Sequence, residues 1–422
     1  MDIFEVYGER EIGEKAEKLF REERALERLD GWFLARETAY LNREELEKLP
    51  PEMASAVKLD KVIDIMPLSI SEHAVFAGTQ RDAFARTYAL INPAFEVETF
   101  CGYCDATAVF DDIVPNEEFT KERIAAVKGY MERTPYVQKL QEVYDTYEEY
   151  TGEVAFFIEQ VTGHVIPDFR GALAFGVESM IRSLEKKEKE AEKEKYRVNF
   201  AAMKKTLQSA VKLAGRYAEL AARLQETAGP ERRAQLALME ETLRKVPAKG
   251  ADSLYEAIQS YLILWQVMCL EQAPNPYAFS VGNADRIFEP YRAKDNLSRQ
   301  EAADLFKHFL VFFNIGDRSW AISQNVLISG RDTAGKDLTC EMSYAIMDAY
   351  YEMNFPQPIL SVKLHKNTPD ELYAYMGKFF FSPGVLTPSL FNDDSIFEIL
   401  RAGGVEETDL ADYSVEGCHE PL

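Results

Sequence analysis

The C-terminal third of the chain alternates short β-rich runs with helical segments, and this alternation constrains the fold more than any other feature of the sequence. Each run is bounded by Gly, Pro or Asn, as strands commonly are. The strand candidates are Asn325–Ser329, Ile359–Leu364, 386–391 and 413–416. The helical segments between them are 338–354, a helix that begins near Thr368, and 395–401. This repeated strand–helix order predicts a helix-rich α/β fold, either an α/β barrel or a layered sheet.

The upstream part of the chain is mostly helical in pattern. Its longest helical stretch lies within 171–224, where the mixed-sign run 185–190 is typical of a solvated helix face. The other helical segments are 8–48, 122–133, 136–150, 231–245 and 252–272, whereas 54–112 shows no clean period. Because no internal repeat or linker separates an independent unit, residues 1–422 are predicted to form a single domain.

Charge and cysteine content narrow the class of protein. The net charge is −23, from 71 acidic and 48 basic residues, which argues against nucleic acid and anionic membranes as partners. No apolar run is long enough to span a bilayer, and the N-terminus lacks the regions of a signal peptide. Five cysteines without a secretory signal indicate reduced thiols rather than a disulfide framework. The sequence therefore predicts a cytoplasmic protein.

Some smaller motifs favour structural roles. Cys101 and Cys104 form a CxxC, but no second pair or histidine lies close enough for a zinc site, and the flanks are equivocal for a redox motif. The five histidines are far apart, so a metal site has no support. His164 lies in a turn-rich stretch, where it is an active-site group or a hydrogen-bonded structural histidine, the second being favoured. Gly129 sits inside a helical pattern and is interpreted as a tolerated helix glycine.

Cys418 and Glu420 form the clearest chemical pair in the sequence. In an extended backbone, side chains two residues apart point to the same face, so the thiol and the carboxylate would share one cavity while His419 faces away. A sulfur that attacks or abstracts, beside a group that moves a proton, is a minimal catalytic pair. An isolated CxE is more often a buried cysteine beside a surface glutamate, so the choice depends on the motifs upstream.

Those motifs occur in a specific order. They are NVLISG at 325–330, PQPILSVKLHKNTP at 356–369, LFND at 390–393 and GCHEP at 417–421. In this order they closely resemble the glycyl radical enzymes, in the branch of dehydratases, C–N and C–S lyases and decarboxylases whose active-site loop reads GCxEP. The pyruvate formate-lyase branch differs, because it has two adjacent cysteines at this point. The resemblance is strong over 270–422, moderate over 115–270 and weak before that.

The resemblance implies a fold and a mechanism. The fold is the first half of the ten-stranded α/β barrel of glycyl radical enzymes, a half-barrel with surrounding helices. In such enzymes a stored glycyl radical takes a hydrogen atom from the central cysteine, and the thiyl radical then abstracts hydrogen from the substrate. Carried over to this chain, Cys418 would bear the thiyl radical and Glu420 would move the proton.

Weaker matches upstream add candidate substrate contacts. His164 lies in a stretch similar to the family's GHxxPD, and Ser280 in one similar to SxGRxD. Both residues are candidate substrate-binding groups. Asn283 stands where the second motif usually has arginine.

One departure from the family pattern concerns the radical itself. The sequence contains no RVxGY-like radical loop, so it is expected to cover the first half of a family enzyme and to be inactive alone. A second segment or chain would then supply the radical glycine, and a radical-SAM activase would install the radical. The complete enzyme is expected to be a homodimer that acts on a small molecule.

Three other functions stay open from the sequence. One is a glycyl radical decarboxylase or C–C bond-forming enzyme, and another is a non-catalytic half-enzyme that acts as a structural partner. The third is a thiolate hydrolase that uses Cys418, although the sequence offers no properly placed histidine for it.

Overall fold

The computed structural model describes residues 3–8, 11–25, 31–78, 110, 115, 117, 120–146, 165–271, 278–316, 324–417 and 420–421. The helices of the first half are α1 (Ile3–Tyr7), α2 (Glu11–Ala25), α3 (Gly31–Leu41), α4 (Arg43–Leu46), α5 (Pro51–Ile65), α6 (Lys121–Met131), α7 (Pro135–Thr146), α8 (Phe169–Phe175) and α9 (Val177–Glu190). Those that follow are α10 (Glu194–Gln225), α11 (Pro230–Lys245), α12 (Leu254–Glu271), α13 (Ala284–Lys294), α14 (Arg299–Gly316), α15 (Glu341–Met353), α16 (Asp370–Phe380) and α17 (Asp393–Ala402).

A four-stranded parallel sheet organises the C-terminal half. Its strands are β1 (Gly282–Asn283), β2 (Asn325–Ser329), β3 (Ile359–Leu364) and β4 (Ser389–Asn392), and they lie side by side in chain order. Helices α13 and α14 connect β1 to β2, α15 connects β2 to β3, and α16 connects β3 to β4. Parallel strands need such helical crossovers, because no tight turn can join them. A single parallel bridge from Val165 to Phe279 extends the pairing beyond β1.

The alternation predicted from the sequence is confirmed. Strands β2 and β3 have the predicted bounds, and β4 begins three residues later than the candidate 386–391. The last candidate, 413–416, narrows to β5 (Val415–Glu416), which pairs antiparallel with β6 (Glu420–Pro421). The sheet with its covering helices is the expected α/β architecture.

The long helical stretch within 171–224 is divided by the backbone at Gly176. This residue has φ of +73°, and a Cβ atom there would collide with the backbone of Ala248 and Lys249. The conformation ends α8 and redirects the chain into α9, so a glycine is required. Gly129 lies inside α6, as predicted. The sequence pattern missed α5, whose buried positions fall within the stretch 54–112.

Helix α12 lies at the centre of the core, and nearly all its described side chains are buried. Around it, aromatic rings pack in close pairs: the centroid of Phe309 is 4.6 Å from that of Phe306, 5.0 Å from Tyr261 and 4.9 Å from Phe313. A helix that is apolar on all sides is buried in protein or in lipid. In the part of the chain that the structure describes, no helix has both the length and the apolarity that a bilayer crossing requires.

Replacing Phe309 tests the aromatic core. The ring is fully buried, so Phe309→Ala should lower the free energy of unfolding by about 3–5 kcal/mol. Phe381→Ala is the matched control, because that ring is 87% exposed and its loss should change stability by less than about 0.5 kcal/mol. Urea unfolding followed by circular dichroism measures both. Equal losses in the two variants would contradict the packing.

Candidate active site

The hairpin of β5 and β6 carries the residues that the sequence singled out. Glu416 pairs with Glu420, and Val415 pairs with Pro421. Gly417 follows β5 with φ of +55°, in the left-handed region that glycine adopts at little cost. Residues 417–419 therefore connect the two strands, and Cys418 belongs by its position in the chain to this connection.

The backbone leading into β5 is held by side chains from the parallel sheet. The amide of Asn283, in β1, donates to the carbonyls of Asp412 and Tyr413, each at 3.2 Å. The ammonium of Lys363, in β3, also donates to the Tyr413 carbonyl at 3.2 Å. A buried carbonyl without a donor costs free energy, so these bonds hold the segment in place.

Arg286 ties the same segment to β2. Its guanidinium donates to the carbonyls of Ala411 at 2.6 Å and Ser329 at 3.0 Å. Next to it, the buried carboxyl of Asp285 accepts from the Ser329 amide and from the Ser343 hydroxyl, both at 2.6 Å. Burial raises the pKa of Asp285, and these hydrogen bonds oppose the rise. The outcome is a buried polar network that joins α13, β2 and α15.

The whole side chain of Lys363 is buried, including its terminal nitrogen. Burial, and then the nearby Arg286, lowers its pKa to about 7. Its ammonium lies 4.2 Å from the ring centroid of Tyr413, whose hydroxyl donates to Asp393 at 2.6 Å. Asp393 in turn opposes part of the pKa shift. The segment that leads into β5 is thus held through both its backbone and the ring of Tyr413.

Asn325, the first residue of β2, reaches the loop itself. Its side-chain amide donates to the carbonyl of Gly417, directly before Cys418. Its side-chain oxygen accepts from the Ser361 hydroxyl at 2.5 Å, and its backbone amide donates to the Ser280 hydroxyl at 3.0 Å. All three side chains are fully buried. With its oxygen occupied by Ser361, the Asn325 amide is oriented to donate to Gly417.

Glu416 differs from Glu420 in exposure. Glu416 is 2% exposed, and its Oε1 has no hydrogen-bond partner among the described residues, whereas Glu420 is exposed. Burial, and then the charge of Glu420, raises the pKa of Glu416 from 4.5 to about 7. The hairpin therefore carries one carboxyl that resists ionisation beside one that faces solvent in this chain.

The structure locates part of the predicted site. Ser280 joins the buried cluster of Asn325, and Glu420 lies in β6. Cys418 and His164 lie outside the described residues, as do the thiols of Cys101 and Cys104. Val165, which follows His164 in sequence, accepts a backbone hydrogen bond from Ser280 at 3.2 Å. The roles of Cys418, Glu420, Ser280 and His164 stay predictions.

Sequence reasoning missed most of the residues that hold the hairpin. A central parallel strand, buried on both faces, usually reads as a continuous apolar run. Ser361 and Lys363 interrupt such a run in β3, and this was a usable signal. Asn325 and Glu416 gave no comparable signal, because each is a single polar residue at the end of a short strand.

Comparison with known proteins identifies the family. The sequence profile described as pyruvate formate lyase-like matches residues 11–422, nearly the whole chain. The chain belongs to this family. The expected resemblance to glycyl radical enzymes is thereby confirmed.

Relatives within the pyruvate formate lyase-like family include lyases and dehydratases. The chain is 28% identical over 228 residues to the isethionate sulfite-lyase of Oleidesulfovibrio alaskensis, covering 49% of this chain and 27% of that protein. It is 27% identical over 242 residues to the trans-4-hydroxy-L-proline dehydratase of Clostridioides difficile, covering 53% of this chain and 30% of that protein.

Solved structures confirm the family fold. The chain matches the glycerol-bound form of a glycerol dehydratase from Clostridium butyricum with a TM-score of 0.79 at 20% identity, covering 97% of this chain and 54% of that structure. A glycyl radical enzyme from Archaeoglobus fulgidus matches with a TM-score of 0.74 at 21% identity, covering 97% and 55%. The chain thus spans about half the length of these barrel enzymes.

The buried lysine predicts a characteristic pH dependence of stability. Between about pH 7 and 10.5 the unfolded chain binds a proton at Lys363 that the folded chain has lost. The free energy of unfolding therefore rises with pH across this window, by at most about 1.4 kcal/mol per pH unit. Lys363→Met should lack this rise, as urea unfolding at about pH 7 and about pH 9 would show. The exposed Lys366→Met is the matched control and should keep it. A wild-type rise that survives in Lys363→Met would contradict the burial of this charge.

Proposed function

We propose that this chain supplies the cysteine loop of a glycyl radical lyase that acts on a small polar substrate. Cys418 removes a hydrogen atom from a substrate carbon as a thiyl radical, and Glu420 transfers a proton while water or another leaving group departs. The observation that carries the proposal is the anchored hairpin, in which Glu420 lies across from β5 at the far end of the connection that contains Cys418. The GCxEP motif within this family supports the two roles.

Cys418 and Glu420 would perform different steps of the proposed reaction. A side-chain base cannot deprotonate an unactivated C–H bond, whereas a sulfur radical can break it by taking a hydrogen atom. When the complete enzyme holds a glycyl radical, that radical supplies the unpaired electron by taking the thiol hydrogen atom of Cys418. A carboxylate such as Glu420 then suffices as base, because a hydroxyl on a radical carbon is far more acidic than an ordinary alcohol.

The proposed steps balance in atoms and electrons. The Cys418 thiyl radical takes hydrogen from a hydroxyl-bearing carbon, which restores the thiol and leaves a carbon radical. Glu420 accepts the hydroxyl proton as the leaving group departs from the neighbouring carbon with its bonding electron pair. The product radical takes a hydrogen atom from the Cys418 thiol, so the thiyl radical is regenerated. When the leaving group is hydroxide, the proton held by Glu420 completes a water molecule.

The proposal also includes partners. Glu420 and Pro421 are exposed in this chain, and we propose that the remaining half of the barrel covers them in the complete enzyme. That half would carry the radical glycine, and a radical-SAM activase would install the radical. The complete enzyme would act as a homodimer.

Turnover by the reconstituted enzyme tests the function. The chain would be co-expressed with a segment carrying a radical-glycine loop and activated, with the glycyl radical quantified by electron paramagnetic resonance. The substrate panel would be isethionate, trans-4-hydroxy-L-proline and glycerol, for elimination, together with indoleacetate, for decarboxylation. Cys418→Ala should abolish turnover and leave the radical yield intact, while Glu420→Gln should reduce turnover by about 10²–10⁴-fold. Cys340→Ser is the matched control and should keep full turnover.

Each alternative gives a different result. Release of carbon dioxide from indoleacetate, without any elimination product, would indicate a decarboxylase rather than an eliminating enzyme. Turnover unaffected by Cys418→Ala would mean that the chain is a structural partner. Turnover without a radical, insensitive to oxygen, would indicate a thiolate hydrolase.

A further inference from the structure

Two glutamates face each other across the hairpin that connects through Cys418. Glu416 and Glu420 are register partners in the antiparallel pair β5–β6. Directly paired residues place their side chains on the same face of the sheet, with Cβ atoms about 4.5–5.5 Å apart. Like charges at such positions repel each other, so strand pairing alone does not favour two acids at these positions.

Among the residues that the structure describes, no cation acts on Glu416 to offset this repulsion. The strand packed against β5 is β2, whose residues Asn325–Ser329 include no ionisable side chain. Glu420 on β6 is the charged group that acts on Glu416, and it raises the pKa of Glu416 further. Lys363 and Arg286 instead direct their charges to carbonyls before β5. Glu416 therefore has a neighbouring acid but no cationic partner among the described residues.

The difference in exposure decides where a proton would reside. Glu416 is buried with an unpartnered oxygen, and Glu420 is exposed in this chain. Two close carboxyl groups do not both ionise easily, and the more buried one keeps its proton. A protonated Glu416 has one O–H to donate, and the oxygens of Glu420 lie on the same face of the hairpin. Pairs of acids in such unequal environments divide into one proton holder and one ionised base.

We propose that Glu416 is a positioning residue that holds a proton, shares it with Glu420 in a hydrogen bond and thereby orients Glu420 as the base beside Cys418. The inference deepens the proposed function and rests on it for the role of Glu420. Glu416 and Glu420 would then suit substrates whose reaction requires a carboxylate to accept a hydroxyl proton. When Glu416 loses its own proton at higher pH, the shared hydrogen bond is lost and the two carboxylates repel each other.

Infrared difference spectroscopy tests the shared proton without turnover. A pH titration of this chain would follow the C=O band of protonated carboxyl groups in wild type, Glu416→Gln and Glu420→Gln. We expect one component to titrate near pH 7 in wild type and to be absent in Glu416→Gln. In Glu420→Gln its midpoint should fall by roughly half a pH unit or more, because the neighbouring charge is gone. Glu406→Gln, at an exposed site, is the control and should leave the component unchanged.

The pH profile of the reconstituted enzyme tests the positioning role. Glutamine keeps the shape of Glu416 and a donor group, so Glu416→Gln should retain turnover at neutral pH. It should also lose the fall in kcat that wild type shows above about pH 7, because no proton remains to be lost. Glu416→Ala removes the donor and should reduce kcat by about tenfold or more below about pH 7, where wild-type Glu416 still holds its proton. Circular dichroism would establish that both variants are folded.

The outcomes separate this inference from the proposed function. A Glu416 component that titrates like an ordinary glutamate, or that ignores Glu420→Gln, overturns the shared proton even if Cys418→Ala abolishes turnover. A fall in kcat above neutral pH that persists in Glu416→Gln overturns the positioning role. If the carboxyl component titrates as expected but Cys418→Ala keeps full turnover, the shared proton is supported and the function proposed for Cys418 is contradicted.

Discussion

Buried side-chain donors from the parallel sheet hold the backbone carbonyls of the segment that leads to Cys418. Asn283 and Lys363 bond the carbonyls before β5, and Asn325 bonds the carbonyl of Gly417 after it. A two-residue strand such as β5 makes few ladder bonds of its own, so its position depends on these donors. The arrangement ties β5 and Gly417 to a rigid scaffold, as the catalytic role proposed for Cys418 would require.

The cationic side chains of Lys363 and Arg286 have a role in holding the segment before β5. Burial disfavours the charged form of Lys363 and so lowers its pKa. The compensation is local, since the ammonium bonds a carbonyl and lies over the ring of Tyr413. Asn283 bonds two carbonyls of the segment. Arg286, three residues later, adds a guanidinium bond to the same segment.

Strands set by a local pattern could be predicted from the sequence, whereas contacts between residues far apart in the chain could not. Apolar runs bounded by Pro, Gly and Asn predicted β2 and β3, because local pattern and burial agree there. The break at Gly176 was missed, because it depends on close contact with the distant backbone of Ala248 and Lys249. The Asn325–Gly417 bond joins residues 92 positions apart, so no local pattern indicates it. Glu416 was missed for a related reason, since its burial depends on how the hairpin packs against β2.

If the bond from Asn325 to Gly417 holds the backbone next to Cys418, a nitroxide spin label on Cys418 should report it through its mobility. The label would be attached in a background where the other four cysteines are serine, and its resonance line shape would be compared between Asn325 and Asn325→Ala proteins. We expect an immobilised spectrum with Asn325 and a mobile one in Asn325→Ala, with the same circular dichroism for the two proteins. Identical line shapes in the two proteins would contradict the claim that Asn325 holds the loop.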